Sequence, residues 1–82
     1  MMTQYVATFH THLAALRSCR TIQGTGVPGA RMAPVPRALS SSCGTCVFYQ
    51  GEDPLASLMD PDLEAVYQVE GKGYKLVYQG EK

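Results

Sequence analysis

Two cysteines, an arginine and three serines crowd one short run, Pro34-Val35-Pro36-Arg37-Ala38-Leu39-Ser40-Ser41-Ser42-Cys43-Gly44-Thr45-Cys46. The Cys43-x-x-Cys46 spacing lets both sulfurs meet on one turn, as a dithiol, a disulfide or half of a metal site. Ser40, Ser41 and Ser42 can bond to nearby backbone and hold a tight turn, and Gly44 permits a left-handed conformation directly after the first sulfur. A turn of this kind aims several N–H groups at one point. If that point is the Cys43 sulfur, those donors and Arg37 favour thiolate over thiol and make Cys43 nucleophilic near neutral pH. Cys43 and Cys46 are therefore the candidate reactive residues, with Arg37, Ser41, Ser42 and Gly44 around a bound substrate. The same spacing suits a structural turn with two half-buried thiols equally well.

The elements that must position this run come from a chain of 82 residues, enough for one small domain over 1–82. Residues 4–9 are rich in β-branched and aromatic side chains and are expected to form a first strand. His10 or Thr11 then caps a helix running to about Gln23, with Ala15, Leu16, Cys19 and Ile22 on one face and Arg17 and Arg20 outside it. Cys19 in that stripe is expected to be a small buried hydrophobe. His10 and His12 stand two apart at the strand-to-helix junction, where a cap or surface role is expected, with a His facing the Cys43 loop as the alternative.

Residues 30–35 form a second expected strand, kept from the centre of a regular ladder by Pro34 and Pro36. Residues 46–49 form a third, so that the cysteine run joins two hairpin-like strands. Asp53 as N-cap and Pro54 at the first helical position predict a second, short helix to Leu58 or Met59. Residues 65–69 and 74–78 flank Glu70-Gly71-Lys72-Gly73 and are expected to form a terminal hairpin. This order gives an α+β fold: a ferredoxin-like sandwich with helices on one face of an antiparallel sheet and a C-terminal hairpin. The opposite sheet face would stay open, available to a homodimer or a larger partner.

Seven basic and seven acidic residues cancel, there is no Trp, and nucleic acid is not an expected partner. Arg17, Arg20, Arg31 and Arg37 make the first half basic, whereas the middle is acidic. No run approaches a membrane span, and the start lacks the basic cap and apolar core of a signal peptide. A cytoplasmic location follows as the expectation, and with it three reduced thiols rather than a disulfide framework.

At the cysteine run the chain resembles the small Se/S carrier protein-like domains, through Val35-Pro36-Arg37 followed by Ser40-Ser41-Ser42-Cys43-Gly44. The resemblance implies a bacterial cytoplasmic carrier in which Cys43 holds sulfur or selenium as a persulfide or perselenide. It would take the chalcogen from a protein donor and pass it to a protein acceptor, with no cofactor of its own and more as a carrier than as a turnover enzyme. Cys46 stands where that pattern does not demand a cysteine, as a resolving thiol or an incidental one. Other readings compete with it. One is a non-enzymatic interaction or thiol redox-sensing module. Another is a metal site built from Cys43, Cys46 and His10 or His12, which lacks a matched second ligand pair. A thioredoxin-type oxidoreductase ranks below both, because the segment after Cys46 reads as strand where that chemistry opens a long helix.

Overall fold

A computed structural model describes residues 3–39 and 43–80. The elements run β1 (Thr3–Phe9), α1 (His12–Gly24), β2 (Arg31–Pro34), β3 (Thr45–Gly51), a single 3-10 turn (Ala56–Leu58), β4 (Leu63–Glu70) and β5 (Gly73–Gln79). The five strands make one antiparallel sheet in the order β2-β3-β1-β4-β5. The class is α+β with a C-terminal hairpin, but with one helix where the sequence predicts two.

The helix forms where its signals stand. Thr11 is extended, and its Oγ1 accepts a hydrogen bond from the Ala14 N–H at 3.1 Å, satisfying one of the first-turn donors that have no partner inside the helix. The buried face is Ala14, Ala15, Ser18, Cys19 and Ile22, with Leu16 only half-buried. Ser18 takes a place in that face because its hydroxyl accepts from the Asp60 N–H at 2.9 Å, tying the helix to the segment before β4.

The second helix fails at Leu55, which adopts a left-handed conformation (φ 59) that an L-residue with a branched side chain enters at a cost. Asp53 does act as a local cap, but its carboxylate accepts from the Leu55 N–H at 2.7 Å, an Asx turn rather than a helix start. Pro54 also contributes its carbonyl, which accepts from the buried Tyr49 hydroxyl. The chain is thus held down by Tyr49 and turned by Asp53 before a helix can propagate.

One sheet face and α1 share the core. Tyr5, Ala7 and Phe9 of β1, Val47 and Tyr49 of β3, and Leu63 and Val66 of β4 cluster with Ala14, Ala15, Cys19 and Ile22. Tyr5 and Tyr49 face each other in register and stack with centroids 5.5 Å apart. On the other face Val6, Thr8, Cys46 and Ala65 are also buried, in register with one another and with half-buried Phe48 and Tyr67. Arg31 lies over the Phe48 ring, 4.7 Å from its centroid.

Candidate functional site

The topology decides where the cysteine run sits. β1 and β2 are each antiparallel to β3 and hence parallel to each other. The chain leaves β1 into the start of α1 and leaves β2 into the cysteine run, so the helix N-terminus and the run lie at the same end of the sheet. A side-chain contact joins them: His12 Nδ1 lies 3.3 Å from Thr45 Oγ1.

The neck of the run is closed by the Val35 N–H donating to the Gly44 carbonyl at 3.1 Å, just beyond the last ladder pair of Pro34 with Thr45. Between them, Leu39 N–H donates to the Pro36 carbonyl, which makes a turn that carries Arg37 on its exposed side. Gly44 has φ +72, the left-handed conformation expected of it, and no atom lies near where a Cβ would be, so the requirement there is conformational rather than steric. Ser41 and Ser42, like Ser40, lie outside the described residues.

The three cysteines occupy different environments and all are in thiol form. Cys43 is half-buried, packs against the core, and donates its S–H to the Thr45 carbonyl at 3.4 Å. Cys46 is not in the turn. It is the second residue of β3, in register with Ala33 and Thr8, with its side chain on the sheet face opposite that of Val47. Its sulfur is fully buried and donates to the Pro34 carbonyl at 3.7 Å.

Burial pushes the Cys46 thiol up to about 11, a rise that Arg31 partly offsets and that charge on Cys43 would increase. Cys19, inside the helix stripe, is raised by burial as well. β3 begins one residue before Cys46, and the pleat then assigns the face of its side chain.

His10 faces Glu64 of β4 with Nδ1 3.4 Å from the carboxylate. His12 reaches the run through Thr45. Thr45 is a residue that sequence reading passes over; the parallel relation of β1 and β2 is the signal that brings it beside the helix start. Among the described residues no three His, Cys, Asp or Glu side chains converge as metal ligands would. Among the same residues no helix is long and apolar enough to cross a membrane.

Neither a curated protein nor a solved structure matches the chain. The profile of the family described as "Putative Se/S carrier protein-like" matches residues 4–59, which spans β1 through the 3-10 turn and includes the whole cysteine run. The match takes in the split unit of β1, α1, β2 and β3 that positions Cys43, and by it the chain belongs to that family.

Proposed function

We propose that this domain carries sulfur or selenium on Cys43. The observation that carries the reading is the contrast among its thiols: Cys43 alone of the three is not fully buried, and it lies on the run at the N-terminal end of α1. The family membership supports the same reading.

Loading begins when Cys43 gives its proton to solvent and its thiolate attacks the outer sulfur of a donor persulfide. A new S–S bond forms at Cys43, the donor S–S bond breaks, and its electron pair leaves on the donor thiolate, which takes up a proton. Nothing is oxidised or reduced in sum. Selenium transfer from a donor perselenide follows the same balance. The terminal chalcogen then bears negative charge at neutral pH. Arg37 on the same run and the partial positive charge at the start of α1 are the groups that favour it there.

Unloading reverses the roles: an acceptor nucleophile attacks the terminal chalcogen, and Cys43 leaves as thiolate. A second route, in which Cys46 attacks Cys43 and expels hydrosulfide, would leave a Cys43–Cys46 disulfide and need a thiol reductant to reset. A buried thiol raised to about 11 makes that the slower branch. The five-stranded antiparallel sheet in the order β2-β3-β1-β4-β5 supports reading the fold as ferredoxin-like without its second helix.

The test is incubation with inorganic polysulfide under anaerobic conditions, trapping with an alkylating agent and peptide mapping. The expected product is a trapped persulfide on Cys43. Modification confined to Cys19 or Cys46, or none on folded protein, would refute the reading.

A further inference from the structure

The charges of this neutral chain are segregated along its sequence. Residues 1–51 contain four arginines and no aspartate or glutamate, a formal +4, whereas residues 52–82 hold all seven acids and the three lysines, a formal −4. The sheet order preserves that division in space: β2, β3 and β1, with α1, come from the first segment, and β4 and β5 from the second. The elements β1, α1, β2 and β3 are therefore free of acids, whereas Glu64 and Glu70 lie on β4 and Glu52, Asp53, Asp60 and Asp62 in the connection from β3 to β4. Cys43 and its run belong to the acid-free segment.

The arginines are exposed: Arg17 and Arg20 on α1, Arg31 on β2 and Arg37 on the run itself. Acidic residues do reach the same end of the sheet, at the start of β4, but they are engaged there. Asp60 faces Arg17 at 3.8 Å and takes the Asp62 N–H on its other oxygen, and Glu64 faces His10.

We propose that the protein partner exchanging chalcogen with Cys43 presents an acidic surface around its own reactive sulfur, oriented by this charge division. The inference rests on the carrier reading. A carrier must bring one sulfur end-on to another, and a molecule with a positive and a negative half turns its positive half toward an anionic partner before contact, which raises productive encounters. The negative half disfavours a long polyphosphate partner, and no Trp is present as a stacking platform for single strands. An acidic protein therefore fits better than nucleic acid.

The test uses two synthetic peptide persulfides, one with glutamates flanking the persulfidated cysteine and one with lysines. Transfer to Cys43 is timed by quenched mass spectrometry at about 10 mM and about 1 M salt, where the screening length is about 30 Å and about 3 Å. The acidic peptide is expected to react at least about tenfold faster at low salt, with the preference collapsing at high salt. Arg20→Glu/Arg31→Glu should erase the preference, whereas Lys72→Glu/Lys75→Glu, the same charge change on the far hairpin, should largely keep it. Neutral iodoacetamide labels Cys43 equally in all forms if the fold is intact. Equal rates for the two peptides at low salt, or an equal effect of the two double variants, would overturn the proposal while leaving the carrier reading standing. Labelling by iodoacetamide with no transfer from either peptide would overturn the carrier reading and this inference with it. Retention on DNA at low salt that is lost in Arg20→Glu/Arg31→Glu would reassign the basic half to nucleic acid.

Discussion

The division of labour among the thiols can be tested by alkylation in the native state. Cys46 has a thiol raised to about 11, so at pH ~8 only about 0.1% of it is thiolate, against roughly a quarter for an exposed cysteine with pKa ~8.5. A more basic thiolate is intrinsically the better nucleophile, with a Brønsted slope of about 0.45, and this returns about tenfold. Ionisation alone therefore slows Cys46 by roughly 20-fold, and the need to open the β2–β3 ladder before a reagent can reach a fully buried sulfur multiplies that factor. Cys43 is half-buried and lies outside that ladder. Iodoacetamide labelling followed by peptide mass spectrometry should modify Cys43 first in native buffer, with Cys46 lagging by at least about 20-fold and buried Cys19 also labelled after Cys43. In concentrated urea the three rates should converge. Native labelling of Cys46 at the rate of Cys43 would refute the assignment of the two sulfurs to different environments.

Three further outcomes follow from the same structure. Because the Cys46 proton is held more tightly in the folded chain, the folded state binds more protons than the unfolded between the ordinary thiol range and about 11. The Cys46 contribution should be fully present below about pH 8.5 and be lost as pH rises through that window, about 3 kcal/mol in all; urea melts of Cys46→Ala should show a correspondingly shallower alkaline slope. Ser18→Ala removes the acceptor of the Asp60 N–H and should cost about 1–2 kcal/mol in the same melts. Gly44→Ala meets no atom but must hold φ +72, so it should cost about 1–2 kcal/mol and change the alkylation rate of Cys43 more than that of Cys19.

Much of this was legible in the residues because local chemistry and tertiary need agree. Thr11 as cap, the Gly44 conformation, the hairpin about Gly71 and Gly73 and the exclusion of Pro34 to an edge strand all follow from single residues with one strong preference. The sequence predicts a second helix because Asp53-Pro54 is good grammar for a helix start, but it is equally good grammar for an Asx turn, and the choice falls to distant Tyr49, whose buried hydroxyl needs the Pro54 carbonyl. The strand expected from residue 46 is present as β3 from Thr45, but the face that Cys46 takes depends on the register, and a shift of one residue in a strand exchanges faces. The contact of His12 with Thr45 depends on two segments 33 residues apart meeting at one end of a sheet, which no local pattern encodes.

The central claim is that chalcogen is held on Cys43, and intact mass addresses it most directly. The native chain, Cys43→Ser and Cys46→Ser are each incubated anaerobically with a cysteine desulfurase and cysteine, or with a perselenide donor. The account predicts a gain of one sulfur or selenium atom on the native chain and on Cys46→Ser, reversed by a thiol reductant, and none on Cys43→Ser. An adduct that persists in Cys43→Ser, or its absence from all three folded forms, would contradict it.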